Sequence, residues 1–301
     1  MHRVIAFAAP VSEHGREALR GMAWPGLQSL LRRLPPLGRD DGDEFSLSPP
    51  HERVLARALR WHGDDGAWPF AAAQLATLGQ DPGAAAWGLL TPAHWHLGTE
   101  QLRMTDPADL MLDEATSRLL LDAVEPLFTT EGFAVRWGAP TAWFIAHPSL
   151  SHLPCASLDR VIGRNVDRWL PAGAAVRLLR RLQNEVQMLL YTHPLNDQRE
   201  ARGQLPVNSF WLSGCGVHQP AQGVLPTVDD RLRTAALGED WAAWAKAWQA
   251  IDAELPDAGL QRLTLCGERS SITLEVQPRN AWQRLVAHWQ RPDVAALLEA
   301  L

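Results

Sequence analysis

Residues 171–216 have the sequence PAGAAVRLLRRLQNEVQMLLYTHPLNDQREARGQLPVNSFWLSGCG. The first half predicts a helix over residues 171–191, because one face collects the apolar side chains of Leu178, Leu179, Leu182, Val186, Leu189 and Leu190. The second half contains a short apolar run at residues 208–213, which predicts a strand ending in Gly214-Cys215-Gly216. A long amphipathic helix followed by a buried strand indicates an α/β protein.

The same mixture of helical and strand-like stretches continues on both sides of this segment. Short apolar runs predict a strand at residues 4–8 and hairpins at residues 133–146 and 260–276. Helical stripes are formed by Trp241, Trp244, Trp248, Ile251 and Leu255, and again by Trp282, Leu285, Val286 and Trp289. We expect a mixed central sheet with flanking helices, in a single α/β domain over residues 1–301 with a helical N-terminal insertion at about 26–80.

Composition excludes several classes of protein. The 301 residues are 46% apolar and 21% charged, which rules out disordered, collagen-like and coiled-coil chains. The net charge of −6 and the helical core spacing of most of the 14 tryptophans indicate no direct nucleic-acid motif. No apolar run predicts a membrane helix or a signal peptide, so we expect a cytoplasmic protein without membrane contact.

The three cysteines, Cys155, Cys215 and Cys266, are far apart in the sequence and form no C-x-x-C pair. This spacing predicts neither a zinc knuckle nor a disulfide framework. Reduced thiols are therefore expected.

The densest group of polar side chains follows the apolar face of the predicted helix. Glu185 lies at the edge of that face one turn after Arg181, and a helix continuing to His193 would bring the histidine ring near the carboxylate. Asn196 and Arg199 follow in a predicted loop. A buried carboxylate beside histidine and arginine suits acid–base chemistry or ligand binding. The alternative is a structural network that ties the helix, the loop and the next strand together.

Three smaller motifs also have two interpretations each. Ser213-Gly214-Cys215-Gly216 is either a tight turn or an anion-binding loop, in which Cys215 would be a nucleophile only with a lowered pKa. His94-x-His96 is either half of a metal site or two surface histidines. Arg103 and Asp106 either bind a ligand or form an ion pair that fixes a turn.

Together these motifs resemble a known family. The segments are Arg103-Met104-x-Asp106-Pro107, Asn184-Glu185-Val186-Gln187-Met188, His193-Pro194-Leu195-Asn196-x-x-Arg199 and Val207-Asn208-Ser209-Phe210-Trp211-Leu212-Ser213-Gly214-x-Gly216. Over residues 84–220 they resemble bacterial proteins labelled RpfE-type regulatory proteins or phosphoglycerate mutases. The last segment is similar to a strand of archaeal-type, cofactor-independent phosphoglycerate mutases, which implies a degenerate alkaline-phosphatase-like core.

Those mutases hold two metal ions with clusters of aspartate and histidine and use a serine or threonine nucleophile. In this chain the first predicted strand ends in Ala8-Ala9-Pro10 without a carboxylate, and His288 is alone near the end of the sequence. The resemblance therefore implies the fold more strongly than it implies the metal chemistry, and we expect no metal and no cofactor.

We accordingly expect a non-catalytic regulatory or accessory protein that binds a small anion or a protein partner. A phosphoglycerate mutase-like phosphotransfer enzyme is the alternative, and an accessory protein of DNA metabolism acting through protein contacts is a third class. No catalytic residue is assigned. The predicted ligand-binding residues are Arg103, Asp106, Glu185, His193, Asn196, Arg199, Asn208, Trp211, Gly214 and Gly216.

Overall fold

The computed structural model describes residues 1–98, 101–171, 176–278 and 292–301. Contacts divide the chain into a first unit, residues 1–60 and 221–301, and a second unit, residues 61–220. The predicted insertion at about 26–80 is shared between the two units. That the chain forms a single domain stays a prediction.

The described strands are β1 (His2–Ile5), β2 (Pro36–Asp41), β3 (Ala86–Ala93), β4 (Trp95–Leu97), β5 (Leu102–Met104), β6 (Ala134–Ala139), β7 (Ala142–Ala146), β8 (Ser209–Val217), β9 (Thr227–Asp229), β10 (Arg262–Cys266) and β11 (Ser270–Glu275). The described α-helices are α1 (Glu13–Arg20), α2 (Pro25–Arg33), α3 (Pro50–Ala58), α4 (Phe70–Thr77), α5 (Glu114–Thr130), α6 (Leu158–Val161), α7 (Val176–Tyr191), α8 (Pro194–Ala201), α9 (Arg233–Leu237), α10 (Trp241–Glu254) and α11 (Val294–Glu299).

The first unit contains a five-stranded mixed sheet in the order β2-β11-β10-β1-β9. β1 is parallel to both β9 and β10, whereas β11 is antiparallel to β10 and β2. Leucines and tryptophans of α2 and α10 share one core with sheet residues such as Leu263 and Leu265. The predicted mixed α/β fold, with a mixed sheet and flanking helices, is confirmed.

The start of α2 depends on a carboxylate from another helix. No side chain of its own segment caps it, but Asp252 of α10 accepts hydrogen bonds from the backbone N–H groups of Gly26 (2.8 Å) and Leu27 (2.7 Å). A Cβ on Gly26 would lie 1.9 Å from the carbonyl oxygen of Asp252. Glycine is thus required where the two helices approach most closely, and the acid satisfies amides that a helix leaves without partners.

The second unit contains an antiparallel sheet in the order β6-β7-β3-β8 and the small pair β4-β5. The sequence predicted a single central sheet and not this second one. α5 and α7 pack against the larger sheet, and Leu182 of α7 is fully buried. The predicted apolar stripe of α7 is confirmed: Leu179, Val186 and Leu190 are buried with it.

The C-terminal helical stripe at Trp282, Leu285, Val286 and Trp289 lies outside the described residues. Among the helices that the structure describes, none combines the length and the apolar character needed to cross a bilayer.

Candidate functional site

Two of the predicted ligand residues, Asn196 and Arg199, bind the protein's own backbone. The Asn196 amide donates to the carbonyls of Leu190 and Val207, both at 2.8 Å, and accepts from the Val207 N–H at 2.9 Å. Arg199 is 3% exposed and donates to the carbonyls of Leu205 (2.9 Å) and Leu110. The expectation of a free loop arginine is wrong, because residue 199 lies in α8 with its guanidinium group turned into the unit.

The residues predicted on the following strand are also held by backbone groups. The Asn208 side chain exchanges two hydrogen bonds with the backbone of Trp95, at 2.7 and 2.9 Å. The Trp211 indole N–H donates to the Ala156 carbonyl at 2.9 Å. These contacts fix the ends of β4 and β8 and the loop before α6, which is the structural alternative that the sequence left open.

The predicted turn at Gly214 and Gly216 is wrong, because both glycines lie inside β8, where the pairing with β3 shifts register. Gly214 has φ +63°, and a Cβ there would lie 2.8 Å from the backbone nitrogen of Ala71 in α4. A Cβ on Gly216 would lie 3.1 Å from the ring of Pro69. The glycines therefore let the start of α4 approach a bulged strand, and an anion-binding role for them stays a prediction.

The remaining predicted residues are spread over separate places in the second unit. Glu185 is 43% exposed beside Arg181, at 3.8 Å. His193 caps α8 by accepting from the Leu195 N–H at 3.3 Å, so α7 does not continue to it. Asp106 caps a 3-10 turn through the Ala108 N–H at 3.0 Å, and Arg103 is exposed on β5. A ligand role for this set stays a prediction.

A small apolar cavity lies beside Trp211, between α7 and β8, but it measures only about 30 Å³. That volume is comparable to the space that one water molecule occupies in the liquid.

A larger polar pocket lies in the first unit. It measures about 310 Å³, at the lower end of the range of ligand sites. The floor comes from four adjacent strands of the mixed sheet and one wall from α3; the lining residues are His2, Leu37, Gly38, Arg39, Asp40, Val54, Arg57, Ala58, Arg262, Ser271 and Thr273.

A hydrogen-bonded row crosses the floor of this pocket. His2 Nε2 lies 2.9 Å from Thr264 Oγ1, which in turn lies 3.0 Å from Thr273 Oγ1. The row follows from the register, since His2 pairs with Arg262 and Thr264 with Thr273 on neighbouring strands. Burial, aided by the positive charge of Arg262, lowers the pKa of His2 to about 4. The imidazole is therefore neutral at pH 7.

Arg262 is the lining residue with spare donor capacity. Its Nη2 donates to Glu275 at 2.7 Å, whereas its buried Nε–H has no hydrogen-bond partner among the described residues. An unsatisfied buried donor is unfavourable by roughly 1–3 kcal/mol. The side chain as a whole is 42% exposed, so a molecule in the pocket can reach the guanidinium group, whereas the Nε–H itself becomes accessible only if the side chain rotates.

The opposite side of the pocket carries a second charged group. Asp40 accepts from Arg53 at 2.7 Å and also from Arg57. Burial alone would raise the pKa of Asp40, but the hydrogen bonds from Arg57 and Arg53 outweigh it and lower the pKa. Arg57 is 58% exposed and can therefore reorient toward a ligand.

Three guanidinium groups and one carboxylate thus line a pocket in a chain whose net charge is −6. Arginine presents forked N–H donors that match carboxylate and phosphate oxygens. The arrangement suits an anion that satisfies Arg262 and hydrogen-bonds the hydroxyls of the floor. The pocket was not predicted, because its residues come from four strands and one helix that are far apart in the sequence. The one local signal was the alternation of polar Ser271 and Thr273, which is typical of a strand with one polar face.

The metal site of the mutases does not fit the described residues. Those residues contain no group of three or more His, Cys, Asp or Glu side chains placed to hold a metal ion. β1 leads into Ala6-Phe7-Ala8, and Asp229, at the end of β9, is bound by Arg231 and Arg3. Of the predicted metal pair, His94 is engaged with the Pro206 carbonyl at 2.9 Å.

No family model matches the chain. It is 40% identical over 69 residues to the probable inorganic carbon transporter subunit DabA of Ectopseudomonas mendocina, covering 23% of this chain and 8% of that protein. It is 27% identical over 119 residues to a probable 2,3-bisphosphoglycerate-independent phosphoglycerate mutase of Geobacter sulfurreducens, covering 38% of this chain and 29% of that protein. The chain thus spans less than a third of the length of the curated relatives it matches.

Two solved structures are similar to it over most of their length. One is the cofactor-independent phosphoglycerate mutase from Thermoplasma acidophilum, with 14% identity, a TM-score of 0.38 and coverage of 91% of this chain and 88% of that one. The other is the PH0037 protein from Pyrococcus horikoshii, with 13% identity, a TM-score of 0.45 and coverage of 91% and 86%. The weak similarity of the chain to phosphoglycerate mutases is in sequence, at 27% identity over 119 residues.

Proposed function

We propose that this protein binds a small carboxylate- or phosphate-bearing anion in the pocket of the first unit, without catalysing a reaction on it. The observation that carries the proposal is the Arg262 side chain, which lines a pocket of about 310 Å³ and whose buried Nε–H has no partner among the described residues. An anion oxygen would bind the guanidinium group and, after a rotation of the side chain, its Nε–H, and would compete with Asp40 and Asp41 for Arg57 and Arg39.

The two titratable groups of the pocket favour a binding role over a catalytic one. The His2 imidazole faces Thr264 and Arg262 and is neutral at pH 7. Asp40 is ionised and held by two arginines. The lowered pKa of each group makes it a weak base at pH 7, whereas a general base works best with a pKa near the working pH. In a regulatory protein, binding of the anion would be the signal, and a protein partner would recognise the anion-bound form.

Isothermal titration calorimetry with inorganic phosphate and with 3-phosphoglycerate tests this proposal. We expect saturable binding by the wild type and at least a tenfold loss of affinity in Arg262→Ala. Arg262→Lys keeps the charge but removes the Nε–H, and should bind with intermediate affinity. Arg202→Ala, at an exposed residue of the second unit, is the matched control. Equal affinity in wild type and Arg262→Ala would refute the assignment of this pocket.

A phosphoglycerate mutase-like enzyme is the second candidate, since 119 residues are 27% identical to a probable mutase. A coupled assay for interconversion of 3- and 2-phosphoglycerate, with added Mn²⁺, Zn²⁺ or Mg²⁺, separates the two candidates. We expect no turnover above the buffer rate. Turnover that a chelator abolishes would replace the binding role by the enzymatic one.

A further inference from the structure

Two of the three cysteines meet in the core of the second unit. The Sγ atoms of Cys155 and Cys215 lie 3.6 Å apart, although 60 positions separate them in the sequence. Cys155 is 2% exposed and Cys215 is fully buried. The cysteines are far apart in the sequence and were expected to be reduced, so their proximity is a property of the fold alone.

Cys215 lies in an irregular stretch of its strand. It follows Gly214 in the stretch of β8 where the register with β3 shifts, so it is not held in a regular ladder. Gly88 faces it, and a Cβ on Gly88 would lie 3.1 Å from the Cys215 sulfur. Forming an S–S bond of about 2.05 Å requires the two sulfurs to approach by roughly 1.5 Å, which side-chain rotation and a small shift of a bulge can supply.

Cys155 lies in a loop, residues 151–157, that joins a 3-10 turn to α6. Its N–H donates to the Gly66 carbonyl at 2.9 Å, and the neighbouring Ala156 carbonyl accepts from Trp211 at 2.9 Å. Because Cys155 is only 2% exposed, a small oxidant reaches the pair when this loop opens locally. The hydrogen bond with Cys155 and burial raise the pKa of Cys215, so Cys215 rests as a thiol.

We propose that Cys155 and Cys215 are an oxidisable thiol pair that hydrogen peroxide converts to an intramolecular disulfide. In the first step the Cys155 sulfur displaces hydroxide from the peroxide, which gives a sulfenic acid and, with the thiol proton, one water. In the second step the Cys215 sulfur attacks the Cys155 sulfur, the S–O bond breaks, and a second water leaves. Two thiols and one peroxide thus yield one disulfide and two waters.

Cys266 is an internal control for this chemistry. It is fully buried like Cys215, but it lies in β10 of the first unit within a separate core cluster. Burial raises the pKa of the Cys266 thiol as well. Once Cys155 and Cys215 are joined, Cys266 has no other thiol in the chain to pair with. Its oxidation would therefore only add oxygen atoms.

The test is peroxide treatment of the native full-length chain, followed by unfolding in denaturant with excess N-ethylmaleimide and measurement of the intact mass. We expect three maleimide adducts before oxidation and one after it. After the mass of the adducts is subtracted, the oxidised protein should be 2 Da lighter, because the disulfide has lost two hydrogen atoms. Cys266→Ala should change from two adducts to none, and a tryptic digest should yield a peptide pair joined through Cys155 and Cys215. Cys155→Ala should keep both remaining thiols.

Three labelled thiols after oxidation, or additions of 16 or 32 Da without loss of a thiol pair, would overturn the proposal. So would a disulfide that forms in urea but not in the native protein, because the native geometry would then not be its cause. The wild-type and Cys266→Ala measurements decide the question even if Cys155→Ala fails to fold.

Discussion

The guanidinium group of Arg199 joins α8 to two backbone carbonyls, those of Leu205 and Leu110. Arg199→Ala should lower the free energy of unfolding by about 2–4 kcal/mol, because it leaves buried carbonyl groups without their charged donor. Urea denaturation measures the loss. Arg202→Ala and Glu185→Gln, at exposed and 43% exposed side chains, should each change stability by less than about 0.5 kcal/mol. A stable Arg199→Ala variant would mean that the burial of this side chain is dispensable.

At the same scale, the pKa of His2 reports on the pocket. The pKa is about 4 because of burial and the neighbouring Arg262 charge. A bound anion favours the protonated imidazole, so saturating phosphate should raise this pKa. Arg262→Ala should raise it as well, by removing a positive charge. NMR titration of the His2 ring, with and without phosphate, measures both shifts. A pKa that phosphate leaves unchanged in the wild type would place the anion elsewhere.

At the scale of elements, the bulge of β8 depends on Gly214. Its φ of +63° strains any other residue, and a Cβ would also press on the start of α4. Gly203 has a similar φ of +70° but open space around it. Gly203→Ala should therefore lower the free energy of unfolding by about 1 kcal/mol, from the backbone conformation alone. Gly214→Ala should lower it clearly more. Equal losses in urea denaturation would show that the contact with α4 adds nothing.

The elements also show which parts of the fold the sequence can predict. The stripe of α7 and the hairpin of β10 and β11 were predicted because their patterns involve neighbouring residues. The pairing of β1 with β10 joins His2 to Arg262, and no local pattern encodes a partner so distant. The pocket combines residues from four strands and was missed for this reason. Arg199 was misplaced because its two acceptors are backbone carbonyls, which every sequence contains.

At the scale of the whole molecule, acid should loosen the first unit before the second. Burial would raise the pKa of Asp229, but hydrogen bonds from Arg231 and Arg3 lower it to about 2. Hydrogen bonds from Arg231 and Arg3 also lower the pKa of Glu254 to about 2. Both values lie below those of an unfolded chain, so this stabilisation is present above about pH 4–5 and is lost as the pH falls toward 2. His2 acts in the same direction between pH 6.5 and 4, because the unfolded state binds its proton first.

Hydrogen–deuterium exchange resolved by peptides, corrected for the intrinsic effect of pH, measures this difference. Between pH 6 and pH 3, protection should fall more in residues 1–60 and 221–278 than in residues 61–220. Arg231→Gln should reduce the acid sensitivity of the first unit, because it removes the interaction that depresses both carboxyl pKa values. An equal fall in both units would indicate cooperative unfolding and favour the single domain that the sequence predicts.

The interruption of the first unit by residues 61–220 also affects how the chain can fold during synthesis. β1 is translated before both of its neighbours, β9 and β10, which follow more than 220 residues later. At roughly 5–20 residues per second, β1 stays without partners for at least about ten seconds. The second unit has all of its strands within one continuous segment and can complete its sheet during that delay. During that delay β1 stays unpaired and exposes Val4 and Ile5, a state that a chaperone would protect from aggregation.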